Sequence, residues 1–265
     1  MTDDEIESSR APLIDHLIEL RSRLIKAVIA FLVAFVLCFA FAKQIYNILI
    51  FPYVLAAGDP SQAKLIYTAP LEYLFTQIKV AAFGAAFISF PIVATQIYKF
   101  VAPGLYRDER DAFLPYLIAT PILFFLGAMV VFFIAMPLVM KFSIGQQQLD
   151  PTEATITLLP KVSDYLSLIM GLIFAFGICF QLPVVLTLLA RVGIIDSTFL
   201  VEKRRYAIVI VFIIAAVLTP PDIISQFALA IPTLLLYEAS IIAVRFVERK
   251  KQAAEPNQAD ETTEA

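Results

Sequence analysis

Histidine, cysteine and charge are scarce in this chain, and each shortage removes a class of chemistry. Of 265 residues one is histidine and two are cysteine, and 16% carry charge. The lone imidazole, His16, has no second histidine with which to hold zinc and reads as a polar-face helix residue. The sequence holds no glycine-rich phosphate loop and no Gly-x-Ser-x-Gly elbow, so nucleotide chemistry and serine-based acyl transfer lack their usual parts. An enzyme is not expected, nor a cofactor or a metal. Cys38 and Cys179 both fall in apolar runs and read as buried free thiols rather than a disulfide. The formal net charge of −3 says little about partners and gives no reason to expect nucleic acid.

Apolar surface is what the chain has in excess. At 60% hydrophobic residues and a mean hydropathy of +0.83, it carries more than one soluble core can bury. An all-α polytopic membrane protein is expected, with six spans at about 24–42, 74–101, 113–140, 165–190, 207–219 and 223–244. Fifteen of the twenty Lys and Arg residues fall on one side of such a topology, which places both termini in the cytoplasm. Residues 13–246 are expected to form the membrane domain, preceded by a flexible N-terminus over 1–12 and followed by a polar tail over 247–265 that is expected to be disordered. Ala40-Phe41-Ala42 resembles a cleavage triplet, but the acidic leader and the long apolar run predict a retained first span. The fifth span is short and is ended by Pro220 and Pro221. The sixth, interrupted by Gln226, Pro232 and Glu238, is expected to be short as well.

Polar groups at the ends and depths of these spans are the candidate functional residues. Leu13, Leu17, Leu20 and Leu24 recur at helical spacing, with Asp15, Glu19, Ser22 and Lys26 on another face. Glu19 therefore stands at the edge of the first span, as an i,i+4 partner of Arg23 or as a site for an external ligand. Gln181 lies near the middle of span four, either bonding a neighbouring helix or receiving a partner's helix. Gln226 and Glu238 lie in span six, and Glu238 is suited to snorkelling or local pairing. Asp222 is placed to cap helix six. Ala82-Phe83-Gly84 with Pro91 and Ala175-Phe176-Gly177 with Pro183 form a weak internal echo.

Several separate stretches then agree. His16 to Arg21, Phe100-Val101-Ala102-Pro103-Gly104-Leu105-Tyr106 leading to Glu109-Arg110, Tyr165 to Pro183, and Leu218-Thr219-Pro220-Pro221-Asp222 with Ser225-Gln226 resemble, in order, the TatC family. These are the multispanning receptors of the twin-arginine protein translocase. The resemblance implies a glove-shaped six-helix bundle in the bacterial inner membrane that binds twin-arginine signal peptides of folded cargo and is driven by the proton-motive force. It implies TatB-like and TatA-like single-span partners, surrounding lipid and a multi-copy complex. By motif position it places Glu19 and Glu109, with Arg21 and Arg110 beside them, at the signal-binding site. Gln181, Gln226 and Asp222 fall where partner-helix or transport-linked roles are expected, and Pro52, Pro91, Pro220 and Pro221 where shaping is. Family members often carry Glu at the position of Gln181, so a titratable group is missing there. The competing reading from the residues alone is a secondary transporter of a small solute, which predicts a buried charged pair or matched broken helices at midplane.

Overall fold

In hydrocarbon each backbone N–H and C=O must find its partner inside the segment, so apolar runs of bilayer length fold as helices. The computed structural model describes residues 3–59, 63–101, 114–148, 156–191, 193–218 and 223–254; for 3–16, 101, 114, 218, 224, 225 and 250–254 it describes the backbone alone. The elements are α1 (Asp3–Ala40), α2 (Ala42–Ala57), α3 (Glu72–Val101), α4 (Leu114–Val130), a π-helical turn (Val131–Ala135), α5 (Met136–Gly145), α6 (Val162–Cys179), α7 (Leu182–Arg191), α8 (Ser197–Glu202), α9 (Arg204–Leu218) and α10 (Ile223–Ala254). Among the described residues the only β pairing is two isolated bridges, Ile66 with Lys161 and Gln148 with Ile156.

Among the described residues, five helical stretches are long and apolar enough to cross a membrane: Leu17–Ala40, Glu72–Phe100, Pro115–Gly145, Val162–Arg191 and Gln226–Arg249. They match five of the six expected spans. The expected fifth, α9, has 15 residues, about 22 Å at ~1.5 Å per residue against a hydrocarbon core of about 30 Å. The expected shortness of the sixth is corrected, since α10 runs unbroken for 32 residues through Pro232. Its polar residues find partners on α9, described below, so none of them ends the helix. Residues 3–12 are already helical within α1, and α10 continues to Ala254 through the first part of the expected tail.

Prolines shape these helices in different ways. Pro52 is buried inside α2, and α3 continues through Pro91. Span three widens into the π turn just before Pro137, with the Met136 N–H reaching back five residues to the Val131 carbonyl. The wider turn absorbs the ring and the missing donor of Pro137. Span four breaks between α6 and α7, where the Gln181 N–H bonds the Ile178 carbonyl at 2.9 Å, a tight turn ahead of Pro183.

The chain divides into two compact units, Met1–Ile48 with Leu71–Pro121, and Leu49–Pro70 with Ile122–Ala265. In the first, α1 packs along α3. Gly84 of α3 lies against Cys38 and Ile45, a Cβ there lying 3.1 Å from each, and the Tyr46 and Tyr73 rings meet edge to face at 6.1 Å. The end of α1 thus meets the first half of α3 at Gly84, the residues of α2 that follow reach the beginning of α3, and α1 and α3 run antiparallel. In the second unit Phe124, Phe176, Met136, Leu166, Ile169 and Leu229 are buried together with the neighbouring apolar side chains. Gly127 is pressed against the α6 backbone, where a Cβ would lie 2.8 Å from the Phe176 carbonyl oxygen. Both cysteines are free thiols, Cys38 buried and Cys179 half-buried.

Candidate functional site

The first candidate region is the α1 end of the first unit. Glu19 is held by the i,i+4 geometry of α1 beside Arg23, whose Nε and Nη2 both donate to Glu19 Oε1, at 3.3 and 3.0 Å. The pair is partly shielded, with Glu19 32% and Arg23 26% exposed. Arg21 is exposed and, two residues along, belongs to a different helix face, so α1 does not bring it to Glu19. Nineteen residues separate Glu19 from Cys38 and seventeen separate Gly84 from Val101, about 28 and 26 Å along two antiparallel helices. Glu19 therefore stands level with the end of α3. Glu109 and Arg110 lie outside the described residues, in the segment that follows Val101. Near that end, the buried Oε1 of Gln96 has no hydrogen-bond partner among the described residues, an acceptor that hydropathy reading passed over.

In the second unit, Gln181 sits at the break between α6 and α7, half-buried, and its Nε2 donates to the Gly177 carbonyl at 3.4 Å. The amide thus turns back on its own span. Gln226 Nε2 donates to the Phe212 carbonyl at 3.2 Å, tying α10 to α9 beside an edge-to-face contact of Phe212 and Phe227 at 5.3 Å. Asp222, Pro220 and Pro221 lie outside the described residues. Glu238 pairs with Arg204 at 2.7 Å, a partner on α9 rather than on its own helix.

Sequence reasoning missed one further contact. Asp196 caps α8 by accepting from the Phe199 N–H at 2.6 Å, and Glu248 accepts from the Ser197 N–H and hydroxyl at 2.7 and 2.6 Å. Two charged acceptors thus satisfy the first donors of α8. Glu248 lies in the polar stretch that composition assigned to a tail, and its partner is 51 residues away. No local pattern signals such a contact.

No group of three or more metal-ligating side chains occurs among the described residues. The geometry offers carboxylates and amides held in ion pairs and hydrogen bonds, which suits recognition rather than bond making. Comparison with known proteins gives this arrangement its context. The family described as "Sec-independent protein translocase protein (TatC)" matches residues 15–232. The Sec-independent protein translocase protein TatC of Magnetococcus marinus is 48% identical over 246 residues, 93% of this chain and 88% of that protein. The protein of the same name from Rickettsia prowazekii is 45% identical, over 88% of this chain and 92% of its own length. A crystal structure of a twin-arginine translocase receptor, TatC, superposes with a TM-score of 0.75 at 39% identity, covering 88% of this chain and 99% of that one. The chain belongs to the TatC family of Sec-independent protein translocase proteins, multi-pass membrane components of protein transport.

Proposed function

We propose that this chain is the receptor and core subunit of a twin-arginine translocase, binding the signal peptides of folded cargo and nucleating the export complex. The observation that carries the reading is the Glu19 carboxylate, which already holds a guanidinium, that of Arg23, through two donors. A signal arginine would take the seat that Arg23 occupies. Glu109, in the segment leaving α3 at the Glu19 end, supplies the second carboxylate, so that two acidic groups read two adjacent arginines, with Arg21 and Arg110 setting the local charge. A planar guanidinium donates in parallel to a carboxylate, each charged bond contributing about 1.5–3 kcal/mol where shielded and less where water reaches it. Lysine keeps the charge and loses the fork, so a twin-lysine peptide binds less well.

Both termini lie in the cytoplasm of a bacterium and the spans cross its inner membrane, as the Lys and Arg distribution favours. Single-span subunits of the TatB and TatA kind assemble on the second unit around Gln181 and Gln226, in a multi-copy complex driven by the proton-motive force. The small-solute transporter loses its structural support: α3 continues through Pro91 while span four breaks before Pro183, so the two echoing segments are not a matched pair of broken helices.

The test is crosslinking of a twin-arginine signal peptide carrying a photoreactive residue beside its two arginines, and of its twin-lysine version, to the full chain in membranes, with the crosslinked sites mapped around positions 19 and 109. Strong crosslinks that fall with twin lysine, and that are lost in Glu19→Gln and Glu109→Gln proteins of normal abundance, are expected. Equal crosslinking of both peptides would return the two carboxylates to surface charges.

A further inference from the structure

Lys203, Arg204 and Arg205 are consecutive, yet the fold treats them differently. Arg204 is neutralised by Glu238 at 2.7 Å. Lys203 Nζ lies 5.7 Å from the centre of the Phe199 ring and 5.5 Å from that of Tyr206, and the Arg205 guanidinium carbon lies 5.1 Å from the Tyr206 ring. These rings hold the two cations in place without cancelling their charge. The nearby carboxylates are engaged elsewhere: Asp196 on the Phe199 N–H, Glu238 on Arg204 and Glu248 on Ser197. Glu202 is exposed and forms no ion pair with either cation among the described residues.

Below the two cations an apolar stripe descends one side of α9. Tyr206, Ile210, Ile213 and Val217 follow at i, i+4, i+7 and i+11, and they are 50%, 54%, 58% and 78% exposed. A fixed pair of positive charges at the head of an apolar track, at the end of a membrane helix, has the charge and shape of one amphiphile. We propose that Lys203 and Arg205, seated on Phe199 and Tyr206, bind the phosphate of an anionic phospholipid whose acyl chain lies along Tyr206, Ile210, Ile213 and Val217. The shortness of α9 gives the site a task. A helix of about 22 Å in a hydrocarbon layer of about 30 Å requires the headgroups beside it to sit low. A lipid held by its phosphate at Lys203 and Arg205 fixes that thinned edge.

The test uses the full chain in mild detergent with phosphatidylglycerol or phosphatidylcholine added, the retained lipid being counted by native mass spectrometry. A cation that meets the bound phosphate is taken to be worth about a fivefold change in affinity, so the Lys203→Gln/Arg205→Gln pair is expected to retain phosphatidylglycerol roughly 25-fold less well. The charge-matched Arg245→Gln/Arg249→Gln protein should stay within about twofold of wild type, and phosphatidylcholine retention should not change. Phe199→Leu/Tyr206→Leu, which keeps both charges, provides a second variant and should give an intermediate loss. Equal losses in the two charge-matched proteins would overturn the site, as would displacement of the lipid by millimolar inorganic phosphate, which would make it a free-anion site. Unchanged lipid retention with reduced capture of a single-span partner would assign the stripe to a protein helix and overturn it equally.

Discussion

At the scale of single residues, the contest is between Arg23 and an incoming arginine for one carboxylate. Glu19 engages both Arg23 donors through Oε1, and an i,i+4 pair of this exposure contributes about 0.3–0.5 kcal/mol. Removing Arg23 should therefore free the site instead of spoiling it. Arg23→Gln is expected to raise the affinity for a twin-arginine signal peptide by about twofold, the factor corresponding to that pair energy. Titrating a labelled peptide against wild-type and variant protein in nanodiscs measures it. A fall would mean that Arg23 itself touches the ligand. The chemistry of this residue was legible in the sequence: Glu19 and Arg23 share a helix face by spacing alone, and the motif around them resembles the family's. Arg21 was grouped with Glu19 by adjacency in that motif, which a helix does not respect, since residues two apart point to different sides.

At the scale of elements, tight approach between helices depends on particular glycines. A Cβ at Gly127 would sit 2.8 Å from the Phe176 carbonyl oxygen and 3.1 Å from the Gly177 nitrogen, both backbone atoms that cannot rotate away. A Cβ at Gly171 meets nothing within 4 Å, on an exposed face of α6. Gly127→Ala should lower stability by about 1–3 kcal/mol through overpacking. Gly171→Ala should be neutral or stabilising by up to about 1 kcal/mol through helix propensity. Because the chain has no tryptophan, thermal melting followed by circular dichroism in detergent is the suitable measurement, and equal shifts in the two variants would refute the α4–α6 packing. The elements themselves were largely legible, since hydropathy and length locate five spans and the prolines after Thr219 explain a short α9. The sixth helix was misjudged for a physical reason. Gln226 and Glu238 read as interruptions in a one-dimensional sequence, yet each has a partner on α9, the Phe212 carbonyl and Arg204. Once their polar groups are satisfied, α10 has no cause to stop. The break before Pro183 was illegible for the converse reason, because Pro91 stands in a similar apolar context and its helix continues.

At the scale of the molecule, the division into two units separates the proposed tasks. Glu19 belongs to the first and Gln181 with Gln226 to the second. The Gln181 amide is turned to the Gly177 carbonyl at the break between α6 and α7, where a neutral group supplies hydrogen bonding at membrane depth without the desolvation of a carboxylate. Leucine there keeps the volume near that of glutamine and removes the amide. Gln181→Leu is therefore expected to weaken co-purification of a single-span partner several-fold, the order of one lost interhelical hydrogen bond of about 0.6–1.7 kcal/mol, while crosslinking of the photoreactive signal peptide stays at its wild-type level. Changes that share no partner add. The Glu19→Gln/Gln181→Leu protein should accordingly show both single-variant defects at their single-variant size, read as peptide crosslinking and partner recovery from the same membranes. If Glu19→Gln alone also lowers partner recovery, recognition and assembly share one energetic network and the two-site division fails. If instead the double variant binds partner as well as wild type, Gln181 is an internal clasp of span four and the partner docks elsewhere on the second unit.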